Sequence, residues 1–279
     1  MLNYKEKRLY SELIQWEKHL QSDMRPDLAR TYEVWLKESY EKIPGHLRRT
    51  FFNRADDIFL HFYSLIQNSQ LLHDSGRKII SIAQTYDNSI DAVNGLKKLS
   101  VDQKHYIANT QLARHRLYSL VQGGMTGGFG LALYLFDLPL LCVIQIKAIQ
   151  LTAMSYGYEM NSPYEMMTGL KVYRASLLPK HLRYREWTAL IEEAKRNAGT
   201  PFLYDSEEPL ADEKLIYPAV SQIAKLLFIA AARKKLLQGI PVFGAAAGAG
   251  ANYRLTKQAA DFAQHYYVYR SFLEKGEND

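Results

Sequence analysis

Residues 123–146 read GGMTGGFGLALYLFDLPLLCVIQI, and the reading of this stretch decides the fold. Its glycines, Gly123, Gly124, Gly127, Gly128 and Gly130, suit either a phosphate-gripping turn or a close-packed helix, and spacing separates the two. A dinucleotide-binding turn needs G-x-G-x-x-G, so that backbone amides reach a pyrophosphate. Here Gly128-Phe129-Gly130 is followed by Leu133 where the third glycine belongs. A Walker loop needs a lysine directly after its last glycine, and Phe129 follows Gly128. Both nucleotide readings fail. What remains is small-xxx-small, Gly123/Gly127 and Gly124/Gly128, one helical turn apart, which leaves a groove for a second backbone. Glycine inside an exposed helix costs about 1 kcal/mol relative to alanine, so close packing has to offset it.

A second stretch, residues 236–253 (LLQGIPVFGAAAGAGANY), repeats the pattern with Gly244/Gly248 and carries no charge. Arg233, Lys234 and Lys235 precede it and form a basic rim suited to anionic headgroups. The first stretch holds a single charged side chain, Asp137. About 20 apolar residues span a bilayer core, but Asp137 and Pro139 near the centre disfavour a plain span. The two stretches are expected as apolar helical hairpins, buried in a helix bundle or lying against a bilayer. Asp137 reads as the N-cap of a helix beginning at Leu138-Pro139, with a buried ion pair or a switch as alternatives. Asn252 is the second buried polar candidate.

Outward from these stretches the chain is helical. Leu9, Leu13, Trp16 and Leu20 lay one apolar stripe on a first helix. Further helices are expected over Leu28, Tyr32, Trp35 and Leu36, stopping before Ile43-Pro44-Gly45, and then from Arg48 to Gln70, from Asp102 to Gln122, from Tyr184 to Asn197, from Leu215 to Gln238 and from Leu255 to Leu273. Residues 199–212 read as an acidic loop, and sustained period-two alternation is absent. The fold class is all-α, a multi-helix bundle with two Gly-rich apolar helical hairpin segments. The expected organisation is an N-terminal helical extension (1–45), a helical domain (46–273) and a disordered tail (274–279).

The 279 residues are 47% hydrophobic and 23% charged, which excludes a disordered chain. The net charge of +6 is scattered rather than gathered on one run, which argues against nucleic acid and fits an anionic surface. A single cysteine, Cys142, excludes a disulfide framework and reads as inert core. The charged N-terminal segment lacks the apolar core of a secretory signal, so a cytoplasmic location is expected.

Catalytic arrays are not evident. Eight histidines, His19, His46, His61, His73, His105, His115, His181 and His265, form no H-E-x-x-H or similar ligand set, and no G-x-S-x-G elbow occurs. Asp57 and His61 stand one turn apart but have no second pair to complete a metal site. No cofactor, metal or catalytic residue is expected. The many tyrosines, Tyr266, Tyr267 and Tyr269 among them, suit the edge of a core.

Four features occur in order: Gly123 to Gly130, Asp137-Leu138-Pro139, Ser155-Tyr156-Gly157-Tyr158, and Ile240-Pro241-Val242-Phe243-Gly244 with Asn252 beyond. Together they resemble the EcsC family, named after the third protein of a bacterial operon encoding an ABC transporter. The resemblance implies an all-helical protein on the cytoplasmic side of the membrane. The function expected is a non-catalytic, peripheral membrane accessory, with anionic membrane or ABC transporter subunits as partners. The alternative is a soluble enzyme or a small-molecule or lipid carrier with an apolar pocket near Asp137.

Overall fold

The computed structural model describes residues 2–23, 69–113, 131–178, 180–197 and 241–276, with only the backbone course given for 69–72, 131–140, 163, 181 and 241–251. Among the described residues there are seven α-helices, one 3-10 helix and no strand. In chain order these are α1 (Tyr4–Ser22), α2 (Ser69–Ala83), the 3-10 helix Val93–Lys98, α3 (101–113), α4 (Leu131–Ser155), α5 (Pro163–Leu177), α6 (Lys180–Asn197) and α7 (Pro241–Glu274). The all-α expectation holds.

Helix α1 starts where Asn3 and Glu6 cap each other. Asn3 Oδ1 accepts from the Glu6 amide at 2.8 Å, and Glu6 Oε2 accepts from the Asn3 amide at 3.1 Å. Its stripe turns inward, with Leu13 and Leu20 buried and Leu9 and Trp16 packed on the core. Residues 2–23 of the expected N-terminal extension therefore share the core of the rest of the bundle.

Three helices make the centre. Helix α4 is buried on nearly every side from Leu141 to Ser155, as an apolar helix without a polar face must be. It turns back into α5, so the two run antiparallel: the Tyr173 hydroxyl donates to Gln145 Oε1. Helix α7 lies along both. Ala148 of α4 and Ala260 of α7 share a small cluster with Leu112, and about two turns on Tyr156 stacks near Tyr267 at 6.4 Å. Helices α4 and α7 are therefore parallel. Arg270 pairs with Glu165 and Gln258 with the Ser176 carbonyl, which sets α5 antiparallel to α7.

Helix α6 returns along α5, tied by Lys171–Glu193 at 2.6 Å and by Arg174–Glu186. Trp187 on α6 is fully buried and meets Trp16, Phe262 and Tyr269 edge-on at 4.9, 5.9 and 5.9 Å. Its indole N–H donates to Glu17 at 2.9 Å, which locks α1 onto α6.

Four sequence expectations change. Asp137 and Pro139 lie inside α4, which begins at Leu131, so Asp137 does not cap a helix starting at Leu138. The flanking apolar residues carry the helix through the proline, at the loss of the bond that Pro139 cannot donate. Second, residues 241–253 and 255–273 form one helix of 34 residues rather than a hairpin arm and a separate helix. Pro241 opens it at the position where proline suits a helix. Third, Glu274 closes α7 and Lys275 bonds to Glu6, so these two residues do not belong to a disordered tail. Fourth, α5 and α2 stand where no helix was expected. In α5 Met166, Thr168, Leu170, Val172, Tyr173 and Ala175 are all buried, which blurs the one-sided period that marks a surface helix.

Candidate functional site

The end of the bundle where α4 turns into α5 gathers buried polar and charged side chains from several helices. The turn is the Ser155-Tyr156-Gly157-Tyr158 segment. Gly157 has φ +88°, a left-handed conformation that a side chain resists. The Gly157 amide donates to the Met154 carbonyl at 3.0 Å and the Tyr158 amide to the Ala153 carbonyl at 3.1 Å. That pair of bonds is a Schellman cap, and it satisfies carbonyls that the helix end would otherwise leave open. Glycine is needed for a second reason: a Cβ there would stand 2.8 Å from Lys97 Cγ and 3.0 Å from the Lys97 amide nitrogen.

The two tyrosines of the turn go opposite ways. Tyr156 is fully buried, and its hydroxyl meets His105 Nδ1 of α3 at 2.9 Å. Burial raises its phenol above the ordinary range and lowers His105, which nearby Glu12 and Asp102 partly offset. Both partners are neutral at pH 7. Tyr158 lies under the Arg270 guanidinium, whose carbon is 4.0 Å from the ring centroid. Arg270 forms two parallel bonds with Glu165, at 2.7 and 2.8 Å. Arg270 is 7% and Glu165 8% exposed, so the pair is desolvated, and pairing is what makes both charges tolerable. Glu165 stands in the first turn of α5, behind Pro163, where the helix N-terminus also favours a carboxylate. Tyr164, Tyr266 and Tyr267 complete the surroundings, 5.7 to 5.9 Å from the guanidinium.

Beside this cage the first and last helices are joined. Glu6 is buried and accepts from the Val101 amide at 2.8 Å and from Lys275 Nζ at 2.6 Å. One carboxylate from α1 thus caps α3 and holds the end of α7. Lys97 pairs with Glu274 at 3.1 Å and sits 4.8 Å over the Tyr158 ring. Lys104, one turn into α3, is 3% exposed.

Chemically, this is a paired and largely closed arrangement. Burial raises the phenols of Tyr156, Tyr158, Tyr266 and Tyr267, so they keep their protons and do not act as bases at neutral pH. Cys142 is buried and its thiol is pushed up to about 12, which leaves no thiolate at neutral pH. Among the described residues no group of three His, Cys, Asp or Glu could hold a metal. His265 donates from Nδ1 to the Asp261 carbonyl at 2.6 Å and stacks on Trp16 at 4.1 Å, both packing roles.

The residues singled out from sequence are distributed as follows. Gly123, Gly124, Gly127, Gly128 and Gly130 lie outside the described residues, as do Arg233, Lys234 and Lys235. Gly244 and Gly248 are in the first turns of α7. Asp137 is in α4, and the surroundings of its side chain, with any pocket there, lie outside what is described. Asn252 is buried on α7. The cage itself joins residues that sequence reading passed over: His105, Lys104, Glu165 and Arg270. Signals existed for two. Ser162-Pro163 followed by Glu165 is a helix-start pattern, and Arg270 is a lone charge in the otherwise buried run from Tyr266 to Phe272.

Comparison with known proteins gives one consistent result. The model of the EcsC protein family matches residues 7–272, including most of α1. A curated relative, Protein EcsC of Bacillus subtilis (strain 168), is 23% identical over 233 residues, covering 80% of this chain and 91% of its own. No solved structure matches.

Proposed function

Since this chain belongs to the EcsC protein family, we propose that it is a non-catalytic accessory protein that docks on an anionic membrane face. The contact is made by the apolar N-terminal ends of α4, which follows the glycines Gly123 to Gly130 in sequence, and of α7, which carries Gly244 and Gly248. One observation carries this reading. Helices α4 and α7 run parallel, so both begin at the same end of the bundle. Each helix runs for about ten residues, roughly 15 Å at about 1.5 Å per residue, before Leu141 in α4 and Asn252 in α7. That end is opposite the paired tyrosine–arginine cage. Two apolar helix beginnings at one end of the bundle would present a compact surface to lipid or to a membrane-embedded partner.

The overall charge of +6 favours anionic headgroups. Among the described residues no helix is long and apolar enough to cross a membrane, so the docking is by helix ends at the interface. The operon context of the family makes ABC transporter subunits the candidate protein partners on that face.

Flotation with phosphatidylglycerol vesicles tests the proposal. The wild-type chain is expected to float with the vesicles, and Gly244→Leu and Gly127→Leu to float several-fold less. Negligible recovery of wild type on anionic vesicles overturns direct membrane docking.

A further inference from the structure

The geometry points to internal water bound at two levels of the seam between α4 and α7, joining the two helices through hydroxyl and amide groups. Gln145 on α4, Tyr158 in the turn that follows it, and Thr256, Tyr267 and Ser271 on α7 are all between 0% and 2% exposed. Among the described residues, Gln145 Nε2, Thr256 Oγ1, Ser271 Oγ and the hydroxyls of Tyr158 and Tyr267 find no hydrogen-bond partner. They are not scattered. Thr256, Ala260, Ala263, Tyr267 and Ser271 follow at i, i+4, i+7, i+11 and i+15, which is one face of α7. That face meets α4: Ala260 shares a cluster with Ala148, and the Tyr267 ring lies 6.4 Å from that of Tyr156.

At the first level, Gln145 and Thr256 each stand one turn before the shared cluster of Ala148 and Ala260. Gln145 Oε1 accepts from the Tyr173 hydroxyl, so the amide is oriented and Nε2 is left as a donor. At the second level the Tyr158 and Tyr267 rings are 5.2 Å apart, and Ser271 stands one turn beyond Tyr267. The Ser271 hydroxyl is near enough to oppose the upward shift of the Tyr158 phenol, yet the two make no hydrogen bond. Several buried polar groups left unsatisfied along one seam are costly, and native proteins meet that cost with internal water. A buried water makes about two to four hydrogen bonds, and hydroxyls supply both donors and acceptors for it. The surroundings select against an ion. Arg270 is matched by Glu165 and Lys97 by Glu274, so a guest at these hydroxyls meets charges that are already paired. A neutral molecule of water's size is what remains. The inference holds whether or not the opposite end of the bundle meets a membrane.

Magnetic relaxation dispersion of isotope-labelled water counts the long-lived internal molecules of the full-length chain. Tyr267→Phe combined with Ser271→Ala is expected to lower that count relative to wild type, and so is Thr256→Val alone. Thr152 is the control, because its hydroxyl bonds to the Ala148 carbonyl of its own helix at 2.8 Å; Thr152→Val should leave the count unchanged. Thermal unfolding gives a second readout. Thr256→Val and Tyr267→Phe keep the shape of the side chain and remove its hydroxyl. With water bound, each should lower Tm by about 2–4 °C, the size of one lost hydrogen bond in a chain of this length. In a dry seam the same changes delete an unsatisfied group, so Tm stays or rises. A wild-type water count kept by either set of substitutions overturns the proposal, as does an unchanged or raised Tm in either single variant. A crystal structure with a larger molecule held against Tyr158, Tyr267 and Ser271 overturns the assignment to water.

Discussion

A lysine at 3% exposure pays for desolvation, and Lys104 shows how such a cost is read out. Burial pushes its amine down to about 8, with Lys275 and Lys97 adding to the effect and Glu274 and Glu6 opposing it. In the unfolded chain the same amine titrates near 10.5. Below pH 8 both states hold the proton and the full penalty is present. Between 8 and 10.5 the folded state sheds the proton that the unfolded state keeps, so stability rises with pH. The difference from about 8 to 10.5 corresponds to about 3 kcal/mol, of which about 2 is recovered by pH 9.5. The buried tyrosines act the other way only above pH 10, where unfolded phenols ionise first. In phosphate-free buffer, urea denaturation at pH 7 and pH 9.5 should show wild type gaining stability relative to Lys104→Met. A difference between the two proteins that does not change with pH would mean that Lys104 is not held in a desolvated place.

At the scale of elements, what joins α5 to α7 is one desolvated ion pair rather than a broad apolar seam alone. Removing a single partner leaves a buried charge uncompensated, which costs about 3–5 kcal/mol. Arg270→Met is expected to lose stability of that order in urea denaturation, because Glu165 is left among tyrosines. Replacing both, Glu165→Leu with Arg270→Met, should recover most of the loss, since the cage is aromatic on several sides. A double variant as unstable as the single would show that the charges position the helices in a way that shape cannot replace. Elements of this kind divide into those legible in sequence and those not. Helix α1 was legible because Leu9, Leu13, Trp16 and Leu20 repeat on one face that meets the core. Helix α5 was not, because Met166, Leu170, Val172 and Tyr173 bury several faces at once. The tyrosines around Gly157 stood out as unusual, yet their partners His105 and Arg270 lie 51 and 112 positions from Tyr156 and Tyr158. No local pattern links residues so far apart. Asp137 misled for the opposite reason: Asp-Leu-Pro is a sound local helix start, and the surrounding apolar run overrode it.

The whole molecule has two unlike ends. At one, the turn after α4, the start of α3 and the end of α7 converge on the buried cage and on the Glu6–Lys275 bond that ties the first helix to the last. At the other, α4 and α7 begin with residues short of charge and, in α7, short of side chains. Stability should follow the same polarity, because local opening is easiest where packed side chains are fewest. Residues 259–272 of α7 place Ala259, Ala263, Tyr266, Tyr267 and Phe272 in the core, so their amides are expected to exchange slowest. In residues 241–250 all seven positions from Gly244 to Gly250 are alanine or glycine, and this segment should exchange faster in the free protein. If the apolar end is the one that meets a membrane, adding phosphatidylglycerol vesicles should slow exchange in 131–140 and 241–250. Residues 156–165, at the cage, should stay as they were. Amide exchange read by mass spectrometry resolves these segments. Protection gained at the cage end instead, with the helix beginnings unchanged, would reverse the orientation argued for and put the basic cluster around Lys104 at the membrane.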